Sequence, residues 1–438
     1  MQNLENNQKQ SNMQKVALTA LAGTSIEWYD FFLYGAAAAL IFPTAFFGEM
    51  PPTTALLLSL LTFAAGFIAR PIGGIIFGHF GDKVGRKKTL ISALMLMGIS
   101  STLIGLLPTY AMIGVAAPIL LTSLRFAQGL AIGGQWGGAM LLVTESAPSN
   151  QRGYYGAFAQ AGAPIGVILA NLALIITSAL VSEEFFNTWG WRIPFLASAV
   201  LILISMYIQL NLEDTDAFKA LVDNKGVQSD ENIKKSPVIE AIKKYPKRIF
   251  LAAGAFLSVQ VTFYILIAFM LAYGVTSANM ARDDMLAAVL IASAIMVPIQ
   301  FVFSSYSDRH GRKGIFMLGA VLTGIWAFAI FPLVDTGNFY LIVLAITGGL
   351  VFLAMMYGPQ AAFFTELFST EVRYSGATLG YQFGAIVGGA FAPTIAVKLW
   401  TEFDIIWVSA YIAIASLLTL ISVMALTETY QSDLNNTD

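Results

Sequence analysis

Four ionisable side chains stand inside runs that are otherwise aliphatic and aromatic: Glu27 and Asp30 in TSIEWYDFFLYGAAAALIF, Arg70 in ARPIGG and Arg125 in LTSLRFAQG. In a bilayer span a charge costs several kcal/mol, so each is a candidate functional residue. Glu27 and Asp30 are three apart, which puts them on one face of a helix. Burial and a like charge disfavour an ionised carboxylate, whereas a nearby guanidinium favours it. A carboxyl between such opposing effects can be switched by which side of the protein is open to water. Asp30 is therefore the leading proton carrier and Glu27 its partner, the other reading being a static counter-charge to Arg125. Arg125 comes about fourteen residues, or about 21 Å, into its run. A fixed cation near the membrane centre suits a carboxylate ligand; otherwise it is an ion pair that never touches ligand. Arg70, about 15 Å from the end of its run, is either a gate ion pair or a ligand contact.

Composition says what must hold these groups. Of 438 residues 57% are hydrophobic and only 11% charged, and mean hydropathy is +0.71, whereas a soluble domain carries about 25% charged residues. The chain reads as an integral membrane protein. A span needs about 20 apolar residues to cross roughly 30 Å of hydrocarbon. Twelve runs qualify, at approximately 16–42, 54–80, 89–107, 111–142, 153–181, 190–211, 248–274, 284–305, 314–333, 338–364, 372–400 and 404–427. Open structures satisfy their own backbone in lipid only as helices, so the expected fold is all-α, a polytopic bundle of twelve transmembrane helices. Lys83, Arg86, Lys87 and Lys88 follow span 2, Arg309, Arg312 and Lys313 follow span 8, and basic residues recur from Lys219 to Arg248. The opposite loops carry Glu183, Glu184, Asp283, Asp284, Asp335 and Asp404 against Arg282. By the positive-inside rule both termini are expected in the cytoplasm.

Residues 1–15 are polar, lack the core and cleavage site of a signal peptide, and are expected as a disordered cytoplasmic tail. The chain has no cysteine, and His79 and His310 lie in separate loops, so neither a metal site nor another cofactor is expected. A net charge of −2, with basic residues confined to loops, argues against a nucleic-acid partner.

The organisation is doubled. GDKVGRKK (81–88) after span 2 recurs as SDRHGRKG (307–314) after span 8. ESAPSNQR (145–152) after span 4 recurs as ELFSTEVR (366–373) after span 10, with Glu145 and Arg152 spaced as Glu366 and Arg373. Two six-helix bundles, 16–211 and 248–427, are thus related by a parallel repeat. Residues 212–247, polar and of mixed charge, are expected as a cytoplasmic linker with short surface helices, and 428–438 as a cytoplasmic tail.

On these motifs the chain resembles the major facilitator superfamily, with GHFGDKVGRKK similar to its loop 2–3 signature. EWYDFFLYG, RPIGGIIFGHFGDKVGRK, RFAQGLAIGGQWGGA, WGWRIPF and GATLGYQFGAIVGG resemble its metabolite:proton symporters, whose members carry shikimate, 2-oxoglutarate, citrate, or proline and betaine. APILLTSLRFAQG and WGWRIPF are most similar to the shikimate-transporter branch. The resemblance implies two halves that rock about a central site lined by helices 1, 4, 7 and 10, in a bacterial inner membrane. On that view Tyr29, Tyr34, Gln128, Gln260, Tyr264, Tyr357, Gln360, Tyr381 and Gln382 are candidates, with Arg125, for binding substrate. Tyrosine, glutamine and one cation suit a small hydroxylated carboxylate.

One departure stands out. Many members carry an acid in the span 4 motif, whereas this chain has Gln135 in GGQWGG. A neutral amide neither takes up a proton nor balances Arg70, which leaves Glu27 and Asp30 as the titratable candidates, with Arg70 and Gln135 open between gate and substrate roles. In the loops, Asp82 can dock at the start of helix 11, where exposed N–H groups favour an anion. Arg86 can reach Glu145 and Arg152; by repeat, Arg312 with Asp308 can reach Glu366 and Arg373. These pairs would hold the inner side shut; the bland reading is that the basic residues only set topology, and His79 is a bystander.

The expected function is proton-coupled import of a small organic acid, shikimate- or quinate-like or otherwise hydroxylated. Alternatives are symport of a zwitterionic osmolyte such as proline or betaine, or export by the same fold. No nucleophile with a base and no phosphate loop suggests an enzyme. The expected partners are the small-molecule substrate, protons and the lipid bilayer, and no oligomer is required.

Overall fold

The computed structural model describes the backbone of residues 2–84, 86–213, 237–369 and 373–430. Side chains are described there except at 2–12, 78–84, 86, 87, 89, 90, 134–139, 141, 142, 208–213, 237–240 and 374. The apolar runs become helices, since in lipid each backbone polar group must find its partner within the segment. The first half comprises α1 (Gln2–Leu40), α2 (Pro52–Val84), α3 (Arg86–Leu106), α4 (Ala116–Ser146), α5 (Arg152–Leu180) and α6 (Ile193–Glu213). The second opens with α7, which runs Pro246–Tyr264, passes through a π turn at Ile265–Phe269 and resumes at Met270–Thr276. It continues with α8 (Arg282–His310), α9 (Arg312–Val334) and α10 (Phe339–Glu366). α11 likewise runs Arg373–Gly384, a π turn at Ala385–Ala390, and Ala392–Glu402, before α12 (Ile406–Ala425). Among the described residues, ten of these are long and apolar enough to cross a membrane, and the apolar part of α3, Ile91–Leu106, is shorter.

Met13, Val16, Ala17 and Ala20 of α1 pack on Val143, Ala147 and Tyr155, where α4 gives way to α5. Glu428, just beyond α12, sits on the first turn of α9. The chain therefore enters and leaves the bundle on one side, the terminal face. One expectation is corrected there: residues 2–15 are not a disordered tail but the first part of α1. That stretch holds neither proline nor glycine, and once a helix is nucleated each further residue adds a hydrogen bond at little cost. The linker residues 214–236 and the tail residues 431–438 lie outside the described residues; Pro237–Lys244 is a short helix leading to α7.

Two glycine contacts place the functional groups. α2 and α4 cross backbone to backbone: a Cβ on Gly129 would lie 2.1 Å from the Gly66 carbonyl oxygen, and one on Gly133 1.9 Å from that of Arg70. Small residues four apart thus set this crossing and draw Arg70 towards Arg125. Gly311, with φ of 99°, is the single residue between α8 and α9. That left-handed backbone favours glycine, and it lets Arg312 fold back on Asp308.

Candidate functional site

At the terminal face the two halves are tied by charge. Asp308, in the last turn of α8, accepts hydrogen bonds from the backbone N–H groups of Gly153 and Tyr154, both at 2.8 Å. It caps the start of α5 in the opposite half, where unpaired N–H groups and the helix dipole favour an anion. Arg312 holds Asp308 at 2.7 Å and Glu366 at 3.1 Å, and it donates to Ser307 Oγ at 2.7 Å. Glu366 lies 3.9 Å from Arg152 of the first half, and Glu145 lies 3.5 Å from Arg373 of the second. Arg373, expected near Arg312, thus meets Glu145 and also donates to the carbonyls of Thr365 and Phe368. Burial disfavours the charged form of Arg373, and Glu145 opposes that effect.

The segment after α12 joins this network. Glu428 accepts from the backbone N–H groups of Arg312 and Lys313, both at 3.0 Å, capping α9. Thr429 Oγ1 donates to Glu366 at 2.8 Å, and the Tyr430 hydroxyl donates to the Arg309 carbonyl at 3.0 Å. The other face is tied as well. Arg282 donates to Ser178 Oγ at 2.8 Å and to Asn187 Oδ1 at 3.2 Å, and Asn171 donates to the Leu286 carbonyl at 3.1 Å. Among the described residues the two halves are thus in contact at both faces.

Between the faces lies an aromatic centre. Phe31 stands between two guanidinium groups, with Arg70 Cζ 4.4 Å and Arg125 Cζ 4.2 Å from its ring centroid. Arg70 also lies over Phe67 at 4.4 Å and Trp28 at 5.5 Å. Arg125 lies over Tyr34 at 4.3 Å and Phe63 at 4.7 Å. Ring faces attract a desolvated cation but offer its N–H groups no lone pair in the ring plane. Nε and Nη2 of both arginines are buried without a hydrogen-bond partner.

A polar chain runs from Arg125 into the first half. Its Nη1 donates to Gln128 Oε1 at 3.2 Å, and Gln128 Nε2 donates to Ser101 Oγ at 2.7 Å. Ser101 neighbours Asp30, which is 1% exposed, accepts a hydrogen bond from Ser198 Oγ on one carboxylate oxygen and has no hydrogen-bond partner on the other. Asp30 and Arg125 thus stand at opposite ends of a row of polar side chains and form no direct ion pair.

Across the seam, the Tyr264 ring of α7 packs on Phe67 at 5.1 Å and on Phe63 at 5.6 Å, and Phe263 packs on Phe32 at 5.6 Å. The space left is a cavity of about 10 Å³, bounded by Trp28, Phe32, Gln260, Phe263, Tyr264, Tyr357 and Tyr381 among others. That is room for about one water. The halves have to part before a substrate enters.

The expected substrate residues therefore separate. Gln260, Tyr264, Tyr357 and Tyr381 line the cavity. Gln360 meets Gln160 of α5 at 3.4 Å, and Gln382 is buried on α11 with its Oε1 unpartnered. Tyr34 lies against Arg125, its hydroxyl 2.7 Å from Thr62 Oγ1. Tyr29 turns away from the seam and donates to the Pro194 carbonyl at 2.8 Å. Arg125 and Gln128 are outside the cavity wall. Glu27 is only half-buried and is engaged in an interaction, so it does not share the sealed environment of Asp30. The side chains of Asp82, Arg86 and Gln135 lie outside the described residues. Sequence reasoning missed the rings Trp28, Phe31, Phe63 and Phe67, the serines beside Asp30, and Glu428 with Thr429. Phe63, Phe67 and Arg70, at helical spacing, were the available signal for the ring-and-guanidinium face.

A doubled bundle of membrane-crossing helices, with ionic contacts across the seam between its halves and a small cavity on that seam, has the build of a transport protein rather than an enzyme. The family model described as Major Facilitator Superfamily matches residues 20–379, and the chain belongs to that superfamily as a multi-pass membrane transporter. Its relatives agree. The inner membrane metabolite transport protein YhjE of Escherichia coli (strain K12) is 40% identical over 432 residues, 97% of this chain and 96% of that one. The shikimate transporter of the same strain is 37% identical over 403 residues, 92% and 91% of the two chains. Its proline/betaine transporter is 33% identical over 417 residues, 93% and 82%. Among solved structures, the proton:xylose symporter XylE bound to 6-bromo-6-deoxy-D-glucose matches with a TM-score of 0.72 over 98% of each chain, at 17% identity. That is a likeness of fold.

Proposed function

We propose that the protein imports a small hydroxylated organic acid together with protons by alternating access. The observation that carries this reading is Asp30, sealed in the first half with serine hydroxyls for neighbours. A hydroxyl donates to a carboxylate and accepts from a carboxylic acid, so this environment serves both protonation states. Arg125, at the other end of the row that includes Gln128 and Ser101, makes the row sensitive to the charge on Asp30. The terminal face, with its basic loops, is the cytoplasmic side.

In the cycle, parting of the opposite face breaks the Arg282 and Asn171 contacts and admits cargo and a proton. Closure over both precedes opening of the Asp308–Arg312–Glu366 network towards the cytoplasm. Asp30→Asn in proteoliposomes tests the proton step. It is expected to lose gradient-driven accumulation while retaining exchange of labelled for unlabelled substrate, which needs no net proton movement. Undiminished accumulation would remove Asp30 from the mechanism.

A second reading has its own support. The cavity wall is mostly aromatic, and aromatic faces suit a quaternary or secondary ammonium, as in the betaine and proline named for one relative. Ligand-induced thermal stabilisation by glycine betaine or proline, with none by shikimate, would favour that zwitterion over the hydroxy acid.

A further inference from the structure

We infer that Arg70, rather than Arg125, takes the carboxylate of the cargo, and that Phe31 divides an anion-binding side of the centre from the side that holds Asp30. The inference rests on the carboxylate reading above and assigns its anchor.

The two guanidinium groups share the Phe31 ring and both lie within electrostatic range of Tyr264, but their remaining neighbours differ. Arg70 lies over Trp28 and close to Tyr264, and both of those residues bound the cavity. It is also within electrostatic range of Tyr357 and Tyr381, on the far wall. Neither arginine is itself part of the cavity wall; apart from Phe31, the ring and hydrogen-bond contacts of Arg125 are Tyr34, Phe63 and Gln128, none of which bounds the cavity.

The free edges differ in the same sense. Nε and Nη2 form the side of a guanidinium that accepts a carboxylate with two parallel hydrogen bonds. On Arg125 that edge is pressed against α2, where a Cβ on Gly66 would lie 2.7 Å from Nε and 3.2 Å from Cζ. No carboxylate fits between them. No glycine contact of that kind faces the Arg70 side chain, and its Nε and Nη2 are unpartnered although the residue is only 1% exposed. A buried cation in that state is costly until an anion completes it.

The position also suits a moving part. Arg70 belongs to the first half and Tyr264 to the second, so parting of the halves withdraws that tyrosine and opens the fork to water and cargo. Reclosure returns Tyr264 as a lid. The ligand class that fits is a small carboxylate with one face apolar enough to lie on Trp28 and Phe263, held at one end by Arg70.

Binding to the detergent-purified full chain tests this, with shikimate, 2-oxoglutarate, citrate, proline and glycine betaine as probes and the methyl ester of any acid that binds. Wild type is expected to bind an acid and to reject its ester. R70Q is expected to lose roughly 30-fold or more in affinity for the acid and to cease telling acid from ester. R70K, which keeps the charge without the fork, is expected to fall between them. Unliganded melting temperature and a monodisperse elution profile establish that the variants are folded, and R70K carries the test if R70Q is not. Wild-type affinity in R70Q, or its retention there with loss in R125Q, overturns the assignment and leaves the carboxylate reading standing. If wild type binds none of the five probes, that reading and the inference fall together.

Discussion

The terminal face and the centre are both built on buried arginines, and they differ in what surrounds them. Arg312 has carboxylates at 2.7 and 3.1 Å, and Arg373 has one at 3.5 Å. Arg70 and Arg125 are held by ring faces, and among the described residues neither has a carboxylate within 4.0 Å. A cation matched to carboxylates is a lock whose strength lies in its geometry. A cation held on π faces keeps its hydrogen-bonding edge available for a partner that comes and goes. The lock lies at helix ends, where Asp308 and Glu428 use backbone N–H groups that the helices leave unpaired. The centre lies in mid-helix, where the backbone offers no such groups and the rings take their place.

That contrast can be broken most directly at Arg312. Arg312→Ala takes from Asp308 and Glu366 their nearest cation and is expected to cost the closed face about 3–5 kcal/mol. Replacing Arg312, Asp308 and Glu366 together by apolar residues of similar size should recover only part of it, because Arg152 then loses Glu366 and the N–H groups of Gly153 and Tyr154 lose Asp308. The readout is labelling of a cysteine placed at Val259 on the cavity wall, in a chain that has no native cysteine. Unchanged labelling from the terminal side in Arg312→Ala would mean the network is not a lock.

The centre can be disturbed without touching a charge. Gly133→Ala puts a Cβ against the Arg70 carbonyl and must push α2 from α4, an overpacking of about 1–3 kcal/mol that should lower both melting temperature and uptake. Gly314→Ala, where a Cβ would meet nothing within 4 Å, should lower neither. Equal effects from the two would show that the α2–α4 contact does not position the site.

Asp308→Asn removes the charge of the cap on α5 and one of its two acceptor oxygens, at an expected cost of about 1–3 kcal/mol to the closed face. Glu428→Gln does the same on α9 within one half, and about 0.3–1 kcal/mol is expected. Comparison of melting temperatures orders the two. A larger effect at Glu428 would move the main restraint from the seam between halves to the segment after α12.

Hydropathy, loop charge and repeated motifs made the membrane class, the twelve helices and the two related halves legible in the sequence. These are properties of local stretches: about 20 apolar residues span the bilayer wherever the helix finally packs. The meeting of Arg312 with Glu366 was legible for a similar reason, since both belong to motifs at helix ends that the repeat sets on one face. The helical start of α1 was not, because polarity alone does not tell a tail from a helix extended out of the membrane.

Only the tertiary structure decided that Arg70 lies over the cavity residue Trp28 while Arg125 is pressed against Gly66, why Tyr264 faces the cavity while Tyr29 does not, and that Asp30 accepts from Ser198 of α6. A helix turns about 100° per residue, so the sequence determines which side chains share a face. Which face meets the seam is set by neighbours distant in the chain. Here it depends on the Gly129 and Gly133 contacts that bring the backbones of α2 and α4 together, pressing the free edge of Arg125 against Gly66 and leaving that of Arg70 at the seam.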